Sequence, residues 1–137
     1  NNNIKISCND FWEKESKNNM HEDIKEIINF YEGDTETVLK EISAINVDVL
    51  LSSDHMMHLP REKGEAVIGL IKDKIKPKYI VLRERKLEFE TPEETCDSFP
   101  RNYHNYERFL SKYDLIFEDT TGNGKYFIRI YEVKSND

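Results

Sequence analysis

"INVDVLLSSDHMMHLPREKGEAVIGLIKDKIKPKYIVLRE", residues 45–84, decides the fold of this chain. The apolar run "VDVLL" stops abruptly at Ser52, Ser53, Asp54 and His55, and an amphipathic segment follows. A continuous apolar run of this length reads as a strand buried on both faces. Pro60 stands where a helix can begin, and Val67, Ile68, Leu70, Ile71 and Ile75 recur at helical spacing as one buried stripe. Lys76-Pro77 must end that helix, because proline lacks the amide that the next turn needs, and "YIVLRE" then reads as a second buried strand. Strand, helix and strand in this order predict a crossover between parallel neighbours.

Working outward, the same alternation recurs. Ile4, Ile6 and Cys8 predict a short strand, and the stretch that follows reads as a helix with Phe11, Trp12, Met20, Ile24 and Ile27 available for burial. "IINFYEGD" predicts a strand and "TETVLKEIS" a helix. Downstream, "RKLEFETPEETCDSFPRN" has no period, and "YHNYERFLSKY" predicts a helix. "DLIFED" and "KYFIRIYEV" flank the turn residues "TTGNG" and predict an antiparallel hairpin. The expected fold is α/β: a doubly wound, mainly parallel sheet of about six strands with a C-terminal antiparallel hairpin, in one domain over residues 1–137. Ligands in such sheets bind outside the carboxyl ends of the strands. The break at Ser52–His58 is therefore the expected chemical edge, with Asp54 and His55 exposed in a concavity and Leu50 and Leu59 buried.

Composition narrows the functions. With 137 residues, 37% of them hydrophobic, the chain can bury a real core. Its net charge of -7 argues against binding nucleic acid through bulk electrostatics. No apolar stretch approaches the roughly 20 residues that cross a bilayer, and Asn1 to Asn3 have no signal-peptide character, so a soluble, cytoplasmic protein is expected. Cys8 and Cys96 are far apart and predict reduced thiols. His55 and His58 lie three apart, but no carboxylate at ligand spacing completes a metal set, so no metal is expected.

A strand ending in "EGD" before a short helix, "VDVLLSSDHMMHLP" before a longer one, then "KPKYIVLRE" and the pair "YDLIFED" and "YFIRIYEV" resemble the second half of a class I S-adenosylmethionine-dependent methyltransferase, a Rossmann-like family. The resemblance spans residues 4–133. It implies that Asp10 holds the cofactor ribose and Asp34 its adenine, and that Ser52, Ser53, Asp54 and His55 face the methyl group and substrate, with His58 in an "H-L-P"-like stretch. Ser52 and Ser53 fall to the cofactor, while Asp54 and His55 would position or deprotonate the nucleophile. The sulfonium carbon is already activated, so alignment is the main demand on the protein. A small-molecule or protein acceptor is implied.

The chain departs from the family at its strongest signature, the glycine-rich turn after the first strand. Its five glycines stand at 33, 64, 69, 122 and 124, none of them follows the first strand, and the one G-x-G, Gly122-Asn123-Gly124, falls in the turn of the C-terminal hairpin. Two readings follow: a piece of a longer methyltransferase whose first strand and glycine loop lie upstream or on a partner chain, or a non-catalytic methyltransferase-like module for interaction or regulation. Either way, S-adenosylmethionine binding by this chain alone is expected to be weak or absent. Local structural roles compete with the chemical ones. Asp34 suits the N-cap of the helix at 35–43, Asp10 suits the cap of a helix beginning at Phe11, and Ser53 and Asp54 can satisfy loop backbone. Met56 and Met57 suit the core.

Overall fold

The computed structural model describes residues 5–10, 18–42, 46–93 and 99–135. The chain forms two compact units, residues 1–42 and 43–137.

In the first unit, β1 (Ile6–Asp10) pairs in parallel with β2 (Ile28–Glu32), Ile6 opposite Ile28 and Asp10 opposite Glu32. Of the helix expected between them, residues 11–17 lie outside the described residues, and the described part contains one turn, α1 (Glu22–Lys25). Gly33 then turns the chain at φ 132°, a conformation that a side chain rarely adopts, into α2 (Thr35–Glu41), which buries Val38 and Leu39. Asn9 ties these pieces together. Its amide donates to the carbonyls of Tyr31 (2.8 Å) and Gly33 (3.1 Å), and its Oδ1 accepts from the Thr35 hydroxyl (2.9 Å).

In the second unit, β3 (Val49–Ser53) leads through a 3₁₀ turn (Met56–His58) into α3 (Arg61–Leu70), which widens into a π-helical turn over Ile71–Ile75. Lys76 ends it in the left-handed conformation just before Pro77. There follow β4 (Tyr79–Arg85), a 3₁₀ turn (Leu87–Phe89), the one-turn α4 (Tyr106–Phe109), and the hairpin β5 (Tyr113–Thr121) and β6 (Tyr126–Val133). Gly122, Asn123 and Gly124 all have positive φ, as the predicted turn requires. Strand order is β3-β4-β6-β5, parallel between β3 and β4 and antiparallel elsewhere. One sheet face is well packed: Ile80, Leu82, Phe127 and Tyr131 are buried, as are Val67, Ile68, Ile71 and Ile75 of the helix.

Three expectations need correction. Among the described residues there is no single, mainly parallel six-stranded sheet but a parallel pair and a mixed four-stranded sheet. β3 is not buried on both faces: Val49 and Leu51 are 55% and 68% exposed and Leu50 is half-buried. The reason is position, since β3 is the edge of its sheet and pairs only with β4 among the described residues. The helix expected over 103–113 shrinks to a single turn. Leu110 leaves helical geometry, and Tyr113 already belongs to β5, where its hydroxyl donates to the Pro77 carbonyl (3.0 Å).

Candidate functional site

The polar break after β3 is organised by a residue thirty positions downstream. Glu84 lies on β4, on the inward face with Ile80 and Leu82, and is completely buried. Its Oε1 accepts from the Ser52 hydroxyl (2.7 Å) and the backbone N–H groups of His55 (3.3 Å) and Met56 (3.1 Å), while Oε2 accepts from the N–H of Met57 (3.0 Å). Burial pushes the Glu84 carboxyl above the usual carboxylate range, and these four donors pull against that rise. The chain leaves its apolar run at Ser52 because four donors must converge on one buried carboxylate.

A second set of contacts holds the loop from outside the sheet. The Asn102 side chain donates to the Leu59 carbonyl (3.1 Å), its backbone N–H donates to the Met57 carbonyl (2.7 Å), and His104 Nε2 donates to the Met56 carbonyl (2.7 Å). His104 is buried, and burial lowers its pKa, so the ring is kept neutral. Gly64 of α3 makes room for it: a Cβ there would stand 2.1 Å from the imidazole Cε1.

Held this way, the loop turns the sequence-derived candidates in different directions. Ser52 faces inward and is committed to Glu84. Ser53 is exposed. Asp54 occupies the left-handed region at φ 53°, donates its backbone N–H to the Arg83 carbonyl (2.9 Å), and pairs its carboxylate with the Arg83 guanidinium. Arg83 in turn lies 4.9 Å from the Tyr126 ring centroid. His55 is half-buried; His58 is exposed, with Nδ1 2.9 Å from the Pro100 carbonyl oxygen. Met56, Met57 and Leu59 are buried core residues. In the first unit Asp34 caps α2, its carboxylate accepting from the Thr37 N–H (3.3 Å), and the exposed Asp10 closes β1 with its carbonyl accepting from the Gly33 N–H (3.0 Å).

The same edge of the sheet carries a cleft, and neither Asp54 nor His55, both expected in a concavity, is among its lining residues. A cleft of about 350 Å³ opens beyond the carboxyl end of β4, with Lys86, Leu87 and Glu88 on one side. Tyr103 and the hairpin residues Glu118, Thr120, Phe127 and Arg129 line the rest. Arg129 Nε donates to Glu118 (2.5 Å), its Nη1 to Glu107 (2.6 Å), and the Tyr103 hydroxyl donates to the other Glu107 oxygen (2.5 Å). Burial, with the hydrogen bond to Glu107, pushes the Tyr103 hydroxyl up to about 12, so it stays a donor.

The sequence matches no protein-family model and no curated protein. The fold, however, is shared with solved methyltransferase structures. A putative type 11 methyltransferase from Sulfolobus solfataricus superimposes with a TM-score of 0.61 at 17% identity, covering 97% of this chain and 73% of its own. A SAM-dependent methyltransferase from Archaeoglobus fulgidus gives 0.59 at 14% identity, over 92% of this chain and 75% of its own. An O-methyltransferase family protein from Burkholderia thailandensis gives 0.61 at 14% identity, where the match covers 84% of this chain but only 38% of that one. The chain has a methyltransferase-like α/β fold.

Proposed function

We propose that this chain is an S-adenosylmethionine-dependent methyltransferase, or a part of one, acting on a small molecule or a protein. The observation that carries the reading is the Glu84 clamp, which presents Asp54 at the carboxyl end of β3 in a methyltransferase-like fold. Asp54, polarised by Arg83, and His55 are assigned to aligning the acceptor and taking its proton. By the family resemblance, Asp10 and Asp34 are assigned to the ribose and adenine, and Ser53 to the cofactor. Ser52 is left out, because its hydroxyl already serves Glu84. The edge of β3, unpaired among the described residues and with Val49 and Leu51 exposed, supports completion of the sheet by a strand carrying the glycine-rich turn from further chain or a partner chain. The lack of a glycine-rich turn after the first strand of this sequence supports a second reading, a non-catalytic module of the same fold.

Calorimetric titration with S-adenosylmethionine separates the two. The enzyme reading expects weak binding, no tighter than roughly 100 μM, that Asp34→Asn weakens further. No heat at any soluble concentration favours the non-catalytic module, and binding unaffected by Asp34→Asn removes that residue from the site.

A further inference from the structure

The cleft beyond β4 has a charge pattern that selects its ligand. Arg129, its side chain only 16% exposed, is neutralised by Glu107 and Glu118 and lies 4.2 Å from the Phe127 ring centroid. It is a closed floor rather than a free cation. The remaining lining charges are Lys86 and Glu88, and among the described residues neither side chain has a hydrogen-bond or ion-pair partner. A purely anionic ligand would gain Lys86 but meet the carboxylates of Glu88 and Glu118. A purely cationic one would gain Glu88 but meet Lys86. A molecule with both charges satisfies both residues, and Leu87, 58% exposed at the wall, offers it an apolar contact.

We propose that this cleft binds a small zwitterion of the α-amino-acid type, with its carboxylate on Lys86, its ammonium on Glu88 and an apolar side chain against Leu87 and Tyr103. The proposal goes beyond methyl transfer and does not depend on it, since binding can be read without any cofactor.

The test is an NMR or calorimetric titration of the whole chain with three probes that share one phenyl group: L-phenylalanine, phenethylamine and 3-phenylpropionate. L-Phenylalanine should bind about tenfold more tightly than either analogue, the contribution of one charge-assisted contact. Lys86→Met, at a half-buried surface site, should reduce L-phenylalanine to the level of phenethylamine. Glu88→Gln, at an exposed site, should reduce it to the level of 3-phenylpropionate. Equal affinity for all three probes, tighter binding of either analogue, or no response to any of them at millimolar concentration would overturn the proposal. A preference for L-phenylalanine that survives both variants would overturn the assignment to this cleft.

Discussion

Two polar regions share the carboxyl edge of the second unit's sheet, and they are built on opposite plans. The loop from Ser52 to His58 spends its donors inward: one hydroxyl and three N–H groups end on Glu84, and the carbonyls of Met56 and Met57 are taken by His104 and Asn102. The cleft beyond β4 leaves an ammonium and a carboxylate, Lys86 and Glu88, facing outward without partners among the described residues. Saturated buried polar groups specify a shape; unsaturated exposed charges are available to a ligand. Polarity alone does not distinguish the two, and the loop attracts attention in the sequence although most of its polar groups are structural.

This contrast can be broken most decisively at Glu84. Glu84→Ala leaves four donors without an acceptor in a buried site and should cost roughly 3 kcal/mol or more in chemical denaturation. Glu84→Gln should cost less, because one carboxamide oxygen still accepts while its NH₂ opposes an N–H donor. A loss under about 1 kcal/mol for the alanine variant would mean the carboxylate does not organise the loop.

Gly64→Ala probes the outer support. Alanine ordinarily gains about 1 kcal/mol over glycine within a helix, but here its methyl would overlap the His104 ring, so a net loss of roughly 1 to 3 kcal/mol is expected. Thermal melts that show stabilisation would reject the tight fit.

The pH dependence follows from the same residue. Because burial lowers the folded pKa of His104, the unfolded chain binds the extra proton first, and the stability contributed by the neutral ring is lost as pH falls below about 6.5. Glu84 acts in the other direction: its raised folded pKa makes the folded state take up a proton first, which adds stability on acidification. Subtracting the stability curve of His104→Gln from that of the parent isolates the histidine. The difference should shrink between pH 7 and pH 5, and a flat difference would show that the ring is not held neutral.

The smallest effect belongs to Asp54. Asparagine tolerates the left-handed backbone as aspartate does, and a partly exposed ion pair contributes little, so Asp54→Asn should shift stability by less than about 1 kcal/mol. Under the proposed function it should nonetheless reduce methyl transfer in an assembly that restores the glycine-rich segment. A large stability loss would move Asp54 to the structural side of the comparison.

Much of the fold is legible in the sequence because its signals are local. Period and punctuation locate β2, α2, β3, α3 with its stop at Lys76-Pro77, β4 and the final hairpin. What is not legible depends on pairing across distance. "VDVLL" looks doubly buried because nothing local marks β3 as an edge, and "YHNYERFLSKY" has helical residues but loses its second turn to β5. Glu84 carried one readable sign, a charge at an inward position two residues after Leu82, which is unusual unless several donors converge on it. The cleft had none, since its lining is gathered from the turn after β4, the segment before α4 and the hairpin.

The bulge between Leu115 and Phe117 gives the two edges of this sheet different colloidal behaviour. β5 carries Asp114, Glu118 and Asp119 along with that irregularity, a combination that discourages strand addition from another molecule. β3 has neither a bulge nor a charge within Val49–Ser53. At high concentration, self-association should therefore begin at β3, and a lysine in place of Leu51 would be the economical way to keep the protein monodisperse.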